Sequence, residues 1–462
     1  MSIHRCCSAF WGVLLLYACS TDTHPPLEKA RPPAQDPEGV RLVNRGAFFL
    51  KQGQPRQALT VLHQAAKRVP ELPSAHFNWG LAHVRLGEYG LAISPLQRAV
   101  ELDSLNGSFR FVLGDALSAE HRYPEAIFQY QRSIELEPEK ALYRYQLGKS
   151  LRATADFAGA IAAFEAALDL EPDFVDALYH RSELLGRSGR PAEAEAGYEK
   201  LLVLAPQHVA ALVALATLQT QAGRHGEAMS ALEQAISQEP RHAQAHYLHH
   251  QILNRMERAD EAAKALQIYQ RLSTAKRHYD QGQIYLLKGK REQAITSFSQ
   301  AIEIDSSFVD AYLSLCIVHL QANDPQSARH LLERILGVEP EHVEAHSLLG
   351  ETHLLERDFA AAQKSFAQAI ALDSTSVRAV FGLGRSSLLS KNYQQADAAL
   401  RRTLEWAPTH LPIYVEAHYA LALTQIQLKN YEEAKTLLKK VLELNPDYSR
   451  AETKLAWLEA SF

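Results

Sequence analysis

The chain has 462 residues, of which 47% are hydrophobic and 22% charged, and its formal net charge at pH 7 is −5. Acidic and basic residues are interspersed and no basic run stands out, so the charge pattern argues against a nucleic-acid-binding protein. Of the four cysteines, only Cys316 lies beyond residue 19, which excludes a disulfide framework.

The first 38 residues differ in composition from the rest of the chain. His4 and Arg5 precede the apolar stretch AFWGVLLLY, which is too short to cross a membrane as a stable helix. Residues 1–18 therefore resemble a secretory signal peptide. Residues 19–38 contain five prolines, and we expect them to form an extended tether.

The end of this leader resembles the bacterial lipoprotein box. It reads Leu16-Tyr17-Ala18-Cys19, with tyrosine where a small or branched residue is usual. The resemblance implies lipidation of Cys19 and, with Ser20 rather than aspartate beside it, sorting to an outer membrane, facing the periplasm. Two alternatives stay open, a plain signal peptide on a periplasmic or secreted protein and an apolar leader on a cytoplasmic one.

Beyond the leader, an alanine recurs twelve times, mostly at intervals of 34 residues, from Ala58 to Ala434. A small residue, usually glycine, lies twelve positions before eleven of these alanines, and a proline lies twelve positions after eight of them. A fixed period of this length is the signature of a repeat architecture. Each period cannot bury its own apolar faces, so neighbouring repeats have to cover one another.

One repeat, 141–174, shows the local pattern. Apolar residues occur at helical spacing on both sides of the polar turn Thr154-Ala155-Asp156, which predicts a hairpin of two helices. Gly148 lies in mid-helix, where glycine costs about 1 kcal/mol relative to alanine. We expect glycine here because the two helices cross closely, with Ala160 at the same crossing, and Pro172 to end the second helix.

From Gly39 to Tyr448 the pattern resembles the tetratricopeptide repeat family, whose repeats are helical hairpins. The resemblance implies an all-α, right-handed superhelical solenoid of about twelve repeats. The predicted packing residues are Gly46, Gly80, Gly114, Gly148, Ala58, Ala92, Ala126, Ala160, Ala194 and Ala228. The predicted repeats are 39–72, 73–106, 107–140, 141–174, 175–208, 209–242, 243–274, 275–308, 309–342, 343–376, 377–410 and 415–448.

Two places depart from the regular period. Repeat 243–274 is two residues short, lacks the terminal proline and carries His250 at the small-residue position. We expect a tighter turn after it and a local change in superhelical twist. Residues 449–462 have helical spacing and are predicted to form a capping helix, the alternative being a frayed tail.

No catalytic or cofactor-binding motif is found. The chain has no phosphate-binding GxxxxGK[ST], no GxSxG, no HExxH and no paired CxxC, so we expect neither an enzyme nor a cofactor. His246, His249 and His250 have a spacing that could bring two imidazoles to one helix face. Because related positions hold packing residues, we favour packing over metal binding for these histidines.

In the tetratricopeptide family, positions two, five, six, nine and thirteen of each repeat line a concave groove, and we call them groove positions. The resemblance implies a partner-binding set of Asn44, Lys51, Asn78, Arg85, Tyr145, Gln146, Lys149, Tyr179 and His180. Asn44 and Asn78 are similar to asparagines that clasp a peptide backbone in some members, although a solvated polar face explains them almost as well. The first half of the groove is predicted to be basic, and Asp310, Glu344 and Glu351 make part of the second half acidic.

These observations predict a noncatalytic scaffold that binds other proteins, as extended peptides or partner helices. The leader places it in a bacterial envelope, where it would aid assembly or secretion of a complex, with membrane contact only through the lipid anchor. The alternatives are a targeting or regulatory subunit of an enzyme complex, such as a glycosyltransferase system, and a histidine-dependent metal carrier. The family's carboxylate clamp is not expected, because no repeat has a lysine at position five.

Overall fold

The computed structural model describes residues 36–407 and 412–461, so Cys19, the signal peptide and most of the tether lie outside the described residues. Within these ranges the protein is all α, with 24 helices and no strand. The helices are α1 Pro37–Lys51, α2 Pro55–Arg68, α3 Pro73–Arg85, α4 Tyr89–Leu102, α5 Gly107–Ala119, α6 Tyr123–Leu136, α7 Ala141–Ala153, α8 Phe157–Leu170, α9 Val175–Arg187, α10 Pro191–Leu204, α11 Val209–Gln221, α12 His225–Gln238, α13 Ala243–Arg255, α14 Ala259–Leu287, α15 Arg291–Ile304, α16 Val309–Gln321, α17 Pro325–Val338, α18 Val343–Leu355, α19 Phe359–Leu372, α20 Val377–Leu389, α21 Tyr393–Trp406, α22 Pro412–Gln427, α23 Tyr431–Leu444 and α24 Ser449–Ser461.

The chain divides into two compact units, which we call the N-terminal body, up to Ala163, and the C-terminal body, from Phe164 onward. In the N-terminal body, α1 pairs with α2, α3 with α4 and α5 with α6, and each hairpin packs on the next. In the C-terminal body the same hairpin packing continues from α9 to α23, and α24 packs on α23. Within each body the packing is that of an α-solenoid, in which hairpins lean on their neighbours.

The twelve turns inside the described hairpins share one backbone feature. The fifteenth residue of each predicted repeat adopts a left-handed conformation, with φ between 58° and 78°. Five of these residues are glycines, for which this region carries no steric cost. The others are side-chain-bearing residues: His121, Ala155, Glu257, Asn323, Arg357, Lys391 and Lys429.

The recurring small residues are buried where the two helices of a hairpin meet. Ala58, Ala92, Ala126 and their counterparts have at most 1% of their surface exposed. The glycines make room for a large side chain sixteen residues later, because an added Cβ at Gly46 would lie 2.3 Å from Leu62. The closest side-chain contact of this glycine is the bulky residue four positions beyond the recurring alanine. The helices also cross closely, since an added Cβ at Gly80 would lie 3.3 Å from the backbone oxygen of Ala92.

The same glycine contact repeats in both bodies. The distances from an added Cβ to the nearest side-chain atom are 2.5 Å for Gly80 and Leu96, 2.7 Å for Gly114 and Tyr130, 2.5 Å for Gly282 and Phe298, and 2.6 Å for Gly350 and Phe366. Such distances are too short for any real side chain, so each glycine is required by its packing partner. In the C-terminal body, Cys316 holds this position as a buried thiol, and burial raises its pKa to about 12.

The short seventh repeat differs from the prediction. No turn separates 243–274 from 275–308, because α14 is one continuous helix of 29 residues. The expected tighter turn is wrong for a physical reason: the repeat lacks both the proline and the two residues that elsewhere form a four-residue loop, such as 205–208. Nothing there interrupts the helical hydrogen bonds, so the helix continues into the next hairpin.

A long-range ion pair accompanies this continuous helix. Arg241, before α13, donates from Nε to Oδ2 of the buried Asp305, after α15, at 2.8 Å. The guanidinium also lies over the Phe308 ring, 3.9 Å from its centroid. The pair therefore joins two loops that are 64 residues apart in sequence, one before α13 and one after α15.

The two ends of the described chain also refine the prediction. Helix α1 begins at Pro37, two residues before the predicted repeat start, and Asp36 caps it by accepting from the backbone N–H groups of Glu38 and Gly39. At the other end, α24 buries Ala451 and Leu458 against Leu438 and its neighbours. Within the described residues, no helix combines the length and apolar character needed to cross a membrane.

Candidate binding surfaces on the first helices of the hairpins

The N-terminal body only partly presents its predicted groove residues. Asn44 and Lys51 are exposed and Arg85 is half-buried, whereas Asn78, Tyr145 and Gln146 are buried. Asn78 has no exposed surface to offer a partner, and Tyr145 and Gln146 expose less than a tenth of theirs, so partner binding by this set stays a prediction. Asn78 is fully buried because α3 contacts α1, α2, α4 and α5, so the two asparagines do not form an exposed ladder.

The aromatic residues at position five form part of the core. Phe77 stacks on Phe109 with ring centroids 4.4 Å apart, and Phe111 stacks on Tyr143 at 4.2 Å. All four rings are buried. In the N-terminal body these aromatic residues therefore hold neighbouring hairpins together, while the half-buried Lys149 lies over the ring of Tyr145 at 5.4 Å.

In the C-terminal body, Tyr179 and His180 are half-buried in a cluster of rings. The Tyr179 ring lies 5.3 Å from that of His180 and 5.0 Å from that of His208. The Nδ1 atom of His180 lies 3.7 Å from a carboxylate oxygen of Glu183. Both predicted residues are thus engaged inside the body, and each offers a partner only part of its surface.

The many histidines make local backbone contacts. His76, His246 and His346 donate from Nε2 to the carbonyls of Pro70, Pro240 and Pro340 at 2.7–2.9 Å, which ties each helix to the preceding loop. His208, His242 and His342 cap the next helix by accepting at Nδ1 from the backbone N–H three residues later. Burial lowers the pKa of His76 and of His246 below the ordinary value, so folding favours their neutral forms.

The histidine triplet predicted as an alternative metal site does not converge on one point. His246 contacts Pro240, while Nδ1 of His250 lies 2.9 Å from the Ala262 carbonyl oxygen. Among the described residues, no group of three or more His, Cys, Asp or Glu side chains is arranged to hold a metal ion.

The C-terminal body contains a recess between α16, α18 and α20, with a volume of about 260 Å³. Its apolar wall is aliphatic and its rim carries one carboxylate and two guanidinium groups. Most of the lining residues occupy groove positions of three successive repeats. The recess, as we call it below, is lined by Ile317, Leu320, Gln321, Leu348, Glu351, Leu354, Leu355, Arg378 and Arg385.

Of the two arginines at the recess, Arg378 is paired with carboxylates of the described residues and Arg385 is not. Arg378 lies 3.3 Å from a carboxylate oxygen of Glu344 and 3.4 Å from one of Glu351. Burial raises the pKa of Glu351, while Arg378 and Arg385 act in the opposite direction. Arg385 is exposed, lies 5.5 Å from the centroid of the Phe381 ring, and has no ion-pair partner within the described residues.

Three exposed leucines lie at position thirteen of repeats in the C-terminal body, and one of them, Leu355, lines the recess. Leu287, Leu355 and Leu389 are the last residues of α14, α18 and α20, and they are 79%, 41% and 49% exposed. The prediction missed these leucines and both arginines of the recess. A signal existed in the sequence, because position thirteen changes from basic in the first repeats (Lys51, Arg85) to leucine in three of the later ones.

Sequence comparison identifies the repeats. Tetratricopeptide repeat models match residues 49–106, 77–141, 145–209, 187–252, 285–351, 353–414 and 415–448. The chain belongs to the tetratricopeptide repeat family. The matches omit 253–284, where α14 replaces the usual break between repeats. Tetratricopeptide repeats are protein-interaction scaffolds and are generally noncatalytic, so the chain is a repeat scaffold for binding other proteins.

Solved tetratricopeptide structures are similar to this chain at low identity. YrrB, described as a tetratricopeptide protein with an unusual peptide-binding site, is 20% identical over 40% of this chain and 95% of its own, with a TM-score of 0.37. PilF of Pseudomonas aeruginosa is 19% identical over 42% and 88%, with a TM-score of 0.37. The P58(IPK) repeat domain is 18% identical over 77% and 99%, with a TM-score of 0.27. A comparison with curated proteins gives no match.

Proposed function

We propose that the protein is a noncatalytic scaffold that binds a segment of a partner protein along the groove positions of its C-terminal body. The observation that carries this proposal is the recess, where aliphatic walls and charged groups meet on the first helices of three successive hairpins. Concave sites lined by apolar side chains with a few polar groups are the usual binding sites of proteins.

The N-terminal body supports a narrower role. Its exposed groove residues are polar or basic, as Asn44 and Lys51 show, and its aromatic groove residues are buried. Burial of apolar surface is the dominant favourable term in most protein–protein association. We therefore assign the main contact to the C-terminal body, and a secondary, electrostatic contact to the N-terminal body.

The leader supports a location for this scaffold. The apolar stretch before Cys19 and the proline-rich residues 19–38 are what a lipid-anchored protein with an extended tether requires. The protein is thus an envelope lipoprotein in this proposal, and it aids assembly or secretion of an envelope complex. The mature protein would contact the membrane through the lipid on Cys19.

Site-specific photo-crosslinking tests the binding surface. A photoreactive amino acid at Leu355, in the recess, should capture a partner in the native cells, and one at Val338 serves as control. Val338 is also an exposed aliphatic residue, at the end of α17, and does not line the recess. Equal or absent capture at the two positions would reject the proposed surface.

The mass of the mature N-terminus tests the anchor. The proposal expects cleavage before Cys19 and a mass increase that corresponds to a lipidated cysteine. Cys19→Ala should release the protein from the membrane fraction without changing its thermal stability, because residue 19 lies before the helical repeats. A mature protein that begins at another residue, without lipid, would refute the anchor and leave the binding surface unaffected.

A further inference from the structure

The recess also specifies what kind of partner segment fits it. We infer that the recess binds an acidic peptide segment of another protein, in which an aspartate or glutamate is flanked by aliphatic side chains. This inference rests on the proposed function of the same surface and adds the chemistry of the partner.

The charge of the segment follows from the ion pairs already present. The carboxylate of the recess, Glu351, lies 3.4 Å from Arg378, and the neighbouring Glu344, outside the lining, lies 3.3 Å from the same guanidinium group. Arg385 lies seven residues further along α20, is exposed and has no ion-pair partner among the described residues. An incoming carboxylate can therefore pair with Arg385, whereas an incoming lysine or arginine would meet two guanidinium groups and carboxylates that are already engaged.

The aliphatic part of the segment follows from the walls. Ile317, Leu348, Leu354 and Leu355 surround the recess, and no aromatic residue lines it. A volume of about 260 Å³ is below the roughly 300–1,000 Å³ of pockets for drug-sized ligands, so the recess accommodates a few side chains of a segment. Beside Arg385, the exposed Leu389 continues the apolar surface by one helical turn on α20.

These two features lie close enough to act on one short segment. Arg378 and Arg385 are seven residues apart on α20, which corresponds to about two turns, or roughly 10 Å along the helix axis. Both arginines and Leu355 line the same recess. A carboxylate bound to Arg385 would thus bring the neighbouring aliphatic residues of the segment to the apolar wall.

Peptide selection tests this inference. A random dodecapeptide library displayed on phage is selected on the full-length protein, in parallel on Arg385→Glu and on the control Lys364→Glu. Lys364 is exposed on α19, does not line the recess, and undergoes the same charge change. Thermal melts of all three proteins confirm that the variants fold.

The expected result is enrichment of Asp or Glu beside Leu, Ile or Val on the unmodified protein and on Lys364→Glu. The leading peptide, labelled with fluorescein, should bind Arg385→Glu about tenfold more weakly, and replacing its acidic residue by lysine should restore binding to that variant. Leu355→Asp should also weaken binding of the acidic peptide.

Selection of basic or uncharged peptides, failure to select any peptide, or equal affinity for Arg385→Glu would overturn the inference. Crosslinking at Leu355 separates this outcome from failure of the proposed function. If a photoreactive residue at position 355 captures a partner above the Val338 control while the acidic preference is absent, the binding surface stands and only the partner chemistry is wrong.

Discussion

At the scale of single residues, the recurring glycines described above are each fixed by one partner side chain. In the C-terminal body an added Cβ at Gly350 would lie 2.6 Å from the Phe366 ring, and Phe366 itself is fully buried. The ring also lies against Gly382, where an added Cβ would be 2.2 Å from it, so a larger residue at position 350 pushes the ring toward α20 or moves α18 and α19 apart. The recurrence of glycine follows from this contact.

We therefore expect Gly350→Ala to lower the free energy of unfolding by about 1–3 kcal/mol through overpacking. The matched control is Gly337→Ala on α17, where an added Cβ has no neighbour within 4 Å. That change should be neutral or should stabilise the helix by up to about 1 kcal/mol. Urea unfolding followed by circular dichroism measures both, and equal effects of the two substitutions would contradict the packing account.

Histidine protonation should make stability depend on pH. Burial lowers the pKa of His76 and His246 in the folded protein, while in the unfolded chain both titrate near 6.5. The stability that comes from keeping these two histidines neutral is therefore fully present above about pH 6.5. It decreases as the pH falls below that value, because the unfolded chain binds the protons more tightly than the folded protein does. The charged neighbours are Arg98, Glu71 and Glu101 around His76, and Arg271 and His242 around His246.

The measurement is the melting temperature at about pH 7.5 and about pH 5.5. In the double variant His76→Gln, His246→Gln, each glutamine amide can still donate to a proline carbonyl but has no charge to gain. We expect this variant to lose less stability on acidification than the unmodified protein. An identical loss in both proteins would assign the effect to other groups.

At the scale of the helical hairpin, the left-handed residue of the turn carries a steric cost wherever it is not glycine. Ala155 has φ of 63° between α7 and α8. A side chain in this region destabilises the folded state by roughly 1–2 kcal/mol, and glycine removes that cost. Glycine also makes the unfolded chain more flexible, which lowers the free energy of unfolding by about 0.4–1 kcal/mol. Ala155→Gly should therefore raise the free energy of unfolding by about 0.5–1 kcal/mol.

Ala158→Gly provides the control for this turn, because Ala158 is an exposed residue in the first turn of α8. With ordinary helical φ, glycine at 158 should destabilise by up to about 1 kcal/mol. The two substitutions thus change the unfolding midpoint in opposite directions. If both destabilise, the turn conformation at Ala155 is not the source of strain.

The hairpins themselves could be predicted because the spacing of Gly148, Ala160 and Pro172 is determined by contacts and helix ends within one repeat. Contacts between repeats depend on where each side chain points, and position alone does not give that. Asn78 occupies a groove position yet is fully buried, and the recess arises only when Glu351 and Arg378 from successive repeats come together. The continuous α14 was missed for a related reason: loss of a loop can tighten a turn or remove it.

At the scale of the whole molecule, stability within each body should be transmitted mainly between neighbouring hairpins. In the C-terminal body α24 contacts α23, burying Leu458 beside Leu438 and Val441. The recess lies on α16, α18 and α20, whereas α24 packs on α23. A change at α24 should therefore lower the local stability of the neighbouring helices without affecting binding at the recess.

Removing residues 449–462 exposes apolar residues that pack with α24 in one cluster, including Val441 of α23 and Tyr448 in the loop before α24; residues of α22 belong to the same cluster. We expect faster amide hydrogen exchange in α22 and α23, since local opening costs less without the covering helix, and little change in α16–α20. Binding of the acidic peptide at the recess should be retained. Uniform loss of protection through α16–α23 would show that the body unfolds as one cooperative block, and the nearest-neighbour description would fail.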